Sequence, residues 1–208
     1  LDLLTQKTAQ AIENIACNME ASCRAALEEA RRREDSPTAR LALAVMCDNQ
    51  DIAAKKGFPV CQDTGMAVVF LNIGRELYLP GDVYEAVNEG VRRGYRQLRK
   101  SVLDPVTRVN TGDNTPAVIH TRLTDGDRIS AEIMLKGFGS ENMSKVFMLN
   151  PAQGFEEAKR LIIDAVASAG SNPCPPVIVG VGLGGTLEKA CELSKHALFR
   201  KIGSSNPD

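Results

Sequence analysis

The run Cys61-Gln62-Asp63-Thr64-Gly65 sets a thiol, a carboxamide and a carboxylate side by side in a turn. Loops held by a rigid element are where chemistry is commonly placed. A thiolate there can serve as a nucleophile or as a soft metal ligand. The nucleophile needs a base within reach, and the chain offers only His120 and His196, which spacing alone does not place. A buried core thiol is the third reading, and the polar neighbours of Cys61 weigh against it. A second cysteine stands in Ser171-Asn172-Pro173-Cys174-Pro175-Pro176. Prolines fix the backbone and remove N–H donors, so Cys174 is presented stiffly, as a ligand or as a packed loop thiol. Beside such a companion, the metal reading of Cys61 gains. Cys17, Cys23, Cys47 and Cys191 fall in helical segments and read as core or surface thiols. No CxxC occurs, which argues against a zinc ribbon and a thioredoxin site. Any metal site must therefore gather cysteines distant in sequence.

The run Gly180-Val181-Gly182-Leu183-Gly184-Gly185-Thr186 satisfies GxGxxG between a strand-like and a helical segment. The acidic residue that would hold a ribose some twenty positions later has no second strand to stand on. A dinucleotide site is set aside. What the pattern retains is a set of backbone N–H groups at a helix start, suited to a carboxylate, or a tight turn with no ligand. Asn110-Thr111-Gly112-Asp113-Asn114-Thr115-Pro116 and Lys136-Gly137-Phe138-Gly139-Ser140-Glu141-Asn142 are polar, glycine-bearing turns that either cap neighbouring elements or line a pocket. Arg92, Arg93, Arg96, Arg99 and Lys100 form a basic cluster. It is a solvated helix face unless one guanidinium turns inward to hold a carboxylate bidentately.

Several elements must position these groups. Ile12, Ile15, Met19 and Leu27 mark one apolar helix face in the segment up to Arg33. Ser36 as N-cap, Pro37 at the first helical position and Gly57 as stop delimit the next helix. Met66 to Ile73 is a continuous apolar run, as in a strand covered on both faces. A helix from Asp82 to Lys100 carries Val83, Val87 and Val91 on one stripe. Ala117 to Leu123 and Arg128 to Leu135 alternate, and Thr124-Asp125-Gly126-Asp127 between them predicts a hairpin whose face holds Ile119, Leu123, Ile129 and Ile133. A helix over Phe155 to Ala169, a strand over Val177 to Val181 and a helix from Thr186 to Arg200 complete the order.

That order predicts a mixed α/β (α+β) fold: one compact unit over residues 1–208, with helices packed on mixed sheets, open to division into two lobes. The chain is 43% hydrophobic and 25% charged with a formal net charge of -1. This is the balance of a folded domain, and it builds no nucleic-acid footprint. The longest apolar stretch is too short to cross a bilayer and the start lacks signal-peptide order, so no membrane partner and a cytoplasmic location are expected. The cysteine density is that of reduced thiols.

Taken together and in order, the Cys61 run, the Asn110 cluster, the Lys136 to Ser144 segment, the Asn172 to Pro176 turn and the Gly180 loop resemble the alpha subunit of the two-subunit class I fumarate hydratases and L-tartrate dehydratases. The match covers nearly the whole chain. The resemblance implies an iron–sulfur hydro-lyase with a [4Fe-4S] cluster on three cysteines and an open iron for substrate. Cys61 and Cys174 match two of the ligands, and the third lies in the family beyond the point where this sequence stops. It implies substrate contacts from Gln62, Asp63, Arg99 and Gly137, with Asp63 also in the catalytic role, and a beta subunit that completes the site. Assembly into a higher oligomer of alpha–beta units is expected too. Fumarate hydration to malate is the first expectation, because that activity is widespread in the family. Tartrate dehydration and a non-catalytic anion- or metal-binding relative are the alternatives.

Overall fold

The computed structural model describes residues 1–206, which divide into two compact units, one of Leu1–Lys136 with the tail from Lys201 and one of Gly137–Arg200. The class is mixed α/β, as the element order predicts. In the first unit the helices are α1 (Asp2–Cys17), α2 (Ala21–Arg33), α3 (Pro37–Lys56) and α4 (Val83–Gly94), and the strands are β1 (Met66–Gly74), β2 (Val118–Thr124) and β3 (Ile129–Lys136).

The segment before Arg33 is two helices rather than one. The chain turns extended at Asn18, and Glu20 caps α2 by accepting from the N–H groups of Ser22 and Cys23. Met19, read as part of the apolar face, stands exposed at the break. Apolar spacing carries across such a break because it registers faces and not caps. The start and stop of α3 follow the sequence signals, with Ser36 accepting from Ala39 N–H and Gly57 in the left-handed region at φ 65°. Helix α4 ends at Gly94, a turn and a half earlier than Lys100. Gly90 and Gly94 lie so close to α1 that a Cβ on them would sit 2.5 Å from Thr8 Cβ and 2.8 Å from Ile12 Cβ. The two helices thus cross almost in backbone contact, and the Thr5 hydroxyl donates to the Ala86 carbonyl at 2.8 Å.

The sheet order is β2-β1-β3, with β1 parallel to β2 and antiparallel to β3. The predicted hairpin does not form: β2 and β3 never pair, because β1, the most apolar strand, takes the centre. The turn at residues 124–127 instead closes over the end of β1, taking hydrogen bonds from Gly74 to Arg128, Arg75 to Thr124 and Glu76 to Gly126. Ala67, Val69 and Leu71 on one face of β1 are buried with Ile12, Val87, Val91 and Tyr95 of the helical layer. Ile119, Ile129 and Ile133 join that core, whereas Leu123, expected on the same face, is exposed. Leu27, Leu43 and Cys47 make a smaller core between α2 and α3.

The second unit holds a one-turn helix α5 (Phe138–Glu141), a 3-10 turn at Pro151–Gln153, and helices α6 (Gly154–Ala169) and α7 (Leu187–Ala197). The strand expected over Val177 to Val181 is absent. The segment is extended without a ladder, and Val177, Ile178, Val179 and Val181 are exposed. Backbone that has no strand beside it has nothing to pair with, whatever its β propensity. Among the described residues no helix is long and apolar enough to cross a membrane.

Candidate active site

Cys61 lies on an exposed loop whose two ends are fixed before its middle is considered. At the entry, Val60 N–H donates to the Ala16 carbonyl at 2.8 Å and Asn49 Nδ2 donates to the Val60 carbonyl at 2.9 Å. At the exit, the Tyr95 hydroxyl donates to the carbonyls of Thr64 at 2.8 Å and Gly65 at 3.2 Å, and Asn114 Nδ2 donates to the Gly65 carbonyl at 2.9 Å. Both of those side chains are wholly buried. Burial pushes the Tyr95 phenol up from its ordinary value and the nearby Asp63 carboxylate adds to the effect, so the hydroxyl keeps the proton with which it donates. Between these anchors Cys61 and Gln62 are exposed and Asp63 is half-buried. The Cys61 thiol donates weakly to Gln62 Oε1 at 3.5 Å, and Asp63 Oδ1 accepts from Gly65 N–H at 3.1 Å.

The same exit anchors bring in Arg99. The Thr64 hydroxyl donates to the Arg99 carbonyl at 2.5 Å and lies 3.2 Å from the Ser101 hydroxyl. Asn114 Oδ1 accepts from the N–H groups of Ser101 at 2.7 Å and Val102 at 3.0 Å. The Arg99 side chain is exposed, and it makes no ion pair among the described residues. Arg96 is exposed and likewise makes no ion pair among the described residues, whereas two arginines further back on α4 are occupied. Arg92 pairs with Glu85, Glu89 and Asp113, and Arg93 with Glu89. Asp113 resists the upward push of burial through the Thr115 N–H and hydroxyl and Arg92, so its carboxyl lies below the usual range.

The second unit carries the other two predicted residues. Gly137 caps α5, its carbonyl accepting from Glu141 N–H at 3.0 Å and the Ser140 hydroxyl at 3.1 Å. The α5 turn lies against the Cys174 turn, because a Cβ on Gly139 would sit 3.4 Å from the Asn172 carbonyl. Cys174 is exposed, in the left-handed region at φ 58°, with its N–H on the Ser171 carbonyl at 3.1 Å. A non-glycine residue pays roughly 1 kcal/mol or more for that conformation. In the glycine loop, a Cβ on Gly180 or Gly182 would sit 2.2 Å from the Ser194 carbonyl or 2.1 Å from the Ala190 carbonyl. Those two glycines admit α7. Glu188 fills the start of α7 itself, its carboxyl held down by its own N–H and the Thr186 hydroxyl.

Thus Cys61, Gln62, Asp63 and Arg99 are joined in one unit, and Gly137 and Cys174 in the other. Both cysteines present free, exposed thiols. Of the remaining cysteines Cys47 is buried and the rest are half-buried, with burial pushing the Cys17 and Cys23 thiols up. Among the described residues no three His, Cys, Asp or Glu side chains gather to hold a metal ion. Neither histidine supplies a base for Cys61 through any hydrogen bond seen: His120 stacks on Phe70 within the sheet, with centroids 4.5 Å apart, and His196 leans on Phe199. Sequence reasoning missed Tyr95. It reached Asn114 only as part of a capping cluster.

The "Putative L(+)-tartrate dehydratase subunit alpha" of Methanocaldococcus jannaschii is 38% identical over 195 residues, covering 88% of this chain and 67% of that protein. The L(+)-tartrate dehydratase alpha subunits of Escherichia coli and Shigella boydii are each 30% identical over 188 residues, covering 88% of this chain and 62% of their own length. The chain therefore spans about two thirds of the length of these relatives. The family model described as Fumarate hydratase (Fumerase) matches residues 5–208, and the chain belongs to that family.

Proposed function

We propose that the chain is the alpha subunit of an iron–sulfur hydro-lyase acting on a four-carbon dicarboxylate, with L(+)-tartrate as the first substrate. The tartrate reading replaces fumarate as the leading one because the named relatives are tartrate dehydratase alpha subunits. Fumarate hydration stays as the second reading, on the family's description. The observation that carries the proposal is the pairing of Arg99, an exposed cation that makes no ion pair among the described residues, with the Cys61-Gln62-Asp63 loop through Thr64.

Arg99 offers the bidentate geometry that a substrate carboxylate takes. Gln62 and Asp63 contact the substrate beside it, and Asp63, steadied by Gly65 N–H, serves in the catalytic role. By the family resemblance Gly137 is proposed as a further substrate contact. Cys61 and Cys174 suit a [4Fe-4S] cluster in donor type: both are exposed thiols on stiff turns. These two are not a complete set of three, and the chain spans about two thirds of the length of the relatives it matches. When bound, the open iron supplies Lewis-acid activation of the leaving hydroxyl. Charge that builds on the substrate carboxylate as the adjacent proton leaves needs cationic donors; Arg99 is one, and a beta subunit supplies the others, in a higher oligomer of alpha–beta units.

The test is anaerobic co-production of the full-length subunit with its beta partner, followed by assay on L(+)-tartrate, fumarate and malate. A brown cluster chromophore and faster turnover of tartrate are expected. A colourless, inactive complex overturns the enzyme reading, and preference for fumarate reverses the two substrates. Cys61→Ser and Cys174→Ser should each abolish cluster retention, whereas Cys23→Ser should spare it.

A further inference from the structure

Asn114 is wholly buried, and its single carboxamide reaches two loops at once. Nδ2 donates to the Gly65 carbonyl at the exit of the Cys61 loop. Oδ1 accepts from Ser101 and Val102 N–H, immediately after Arg99. Its backbone lies in the left-handed region at φ 66°, which asparagine enters more readily than most residues. The flanking chain is held as well: Asp113 Oδ1 accepts from Thr115 N–H and its hydroxyl, and Asn110 Nδ2 donates to the Lys100 carbonyl at 2.9 Å. Tyr95 reinforces one side through the Thr64 and Gly65 carbonyls, and Thr64 the other through the Arg99 carbonyl. A cap would satisfy backbone groups of a single element. Here the bonded groups belong to two loops, one carrying Cys61, Gln62 and Asp63 and the other Arg99.

We infer that Asn114, seconded by Tyr95, is a positioning residue that fixes the Arg99 loop relative to the Cys61-Gln62-Asp63 loop. The inference rests on the proposed function for its catalytic consequence, but not for the coupling of the loops. A buried carboxamide with both ends bonded is rigid, because freeing either end leaves polar atoms unsatisfied. The spacing between the carboxylate clamp and the thiol-bearing loop is then set by the Asn114 carboxamide together with the Thr64–Arg99 bond, rather than by two independent loops.

Asn114→Gly is the informative variant, since glycine keeps the left-handed backbone at no steric cost while deleting the carboxamide. Amide exchange of Ser101, Val102 and Gly65 is measured first in the substrate-free protein. Asn114 holds the first two N–H groups, whereas Asp63 holds that of Gly65. All three should exchange about tenfold faster or more in the variant. Acceleration confined to Ser101 and Val102 would show the loops to be uncoupled and would overturn the inference. The second readout is a cycle with Arg99→Ala in the full-length subunit with its partner. The loss of kcat/KM caused by Arg99→Ala should shrink about tenfold in the Asn114→Gly background, and additive losses would overturn the positioning role. If Arg99→Ala alone costs nothing, the clamp assigned to Arg99 fails, while the exchange result still decides the coupling. Should Asn114→Gly not fold, Tyr95→Phe keeps the ring and removes the hydroxyl. It should accelerate exchange at Gly65 and Ser101 together, and acceleration at Gly65 alone would be the contrary result.

Discussion

Between Leu1 and Lys136 the chain closes an interior around Ile12, Val69, Leu71, Val87, Val91 and Tyr95, whereas between Gly137 and Arg200 not one residue is buried. The two units hold their cysteines by correspondingly different means. Cys61 stands on a loop tied at both ends to other elements, by Asn49 and the Ala16 carbonyl on one side and by Tyr95 and Asn114 on the other. Cys174 stands on a turn tied to its own neighbours, through one local hydrogen bond, a left-handed φ and flanking prolines. Tertiary anchoring is as strong as the core behind it; local anchoring survives without one. Phe147, Met148, Ile163, Ile178 and Leu187 of the second unit all remain open to solvent, so its apolar side chains do not yet contribute the burial that stabilises the first.

The largest effect that could break this contrast is a core truncation. Leu71→Ala removes a side chain buried in the centre of the sheet and should cost about 2–5 kcal/mol in denaturant unfolding, whereas Ile163→Ala on exposed α6 should stay within about 0.5 kcal/mol. Comparable losses at both positions would show that the second unit has an interior after all. Next comes overpacking at the helix crossing. Gly90→Ala puts a methyl 2.5 Å from Thr8 Cβ and 2.8 Å from the Thr5 carbonyl, and should cost about 1–3 kcal/mol by the same measurement. Gly139→Ala meets only the Asn172 carbonyl at 3.4 Å and should be far milder.

A pH series sharpens the same comparison from the chemical side. The Tyr95 phenol is raised in the folded state by burial and by Asp63. In the unfolded chain it ionises near pH 10. A raised folded value means the contribution is fully present below that pH and is lost as pH rises from there towards the folded value. Melting temperature should therefore begin to fall as pH rises above about 10, and Tyr95→Phe should flatten that fall while lowering stability at pH 7 through the lost bonds to Thr64 and Gly65. An unchanged alkaline slope would place the hydroxyl in water.

Legibility in the sequence follows the same division between local and tertiary causes. Ser36, Pro37 and Gly57 delimit α3 because capping is a local matter, and the apolar run from Met66 reads as a central strand because both of its faces are covered. The hairpin fails at residues 124–127 because nearness in sequence favours pairing β2 with β3, while the greater apolarity of β1 places it between them. The Cys61 loop is visible as a polar cluster beside a thiol. What fixes it is not, because Tyr95 and Asn114 bind backbone carbonyls, and a carbonyl carries no residue type. The strand expected at Val177 fails for a related reason, since propensity describes one strand and a ladder needs two.

The smallest effect concerns the glycine loop, whose pattern suggested an anion site at the start of α7. Gly180 and Gly182 are spent on close approach to the helix backbone, and the Glu188 carboxyl at the helix start is held below its usual range by its own N–H and the Thr186 side chain. If those donors serve only the protein, Glu188→Gln removes a charge from an exposed helix end. The Michaelis constant for the dicarboxylate should then change less than about twofold, with a slight fall in melting temperature. If instead a substrate carboxylate competes for the same N–H groups, removing Glu188's charge clears its place and lowers the Michaelis constant several-fold. The helix start would then be a binding site for the substrate carboxylate. A carboxylate already stabilised at the helix start favours the first outcome, because it must be displaced before another anion can use the same end of the helix.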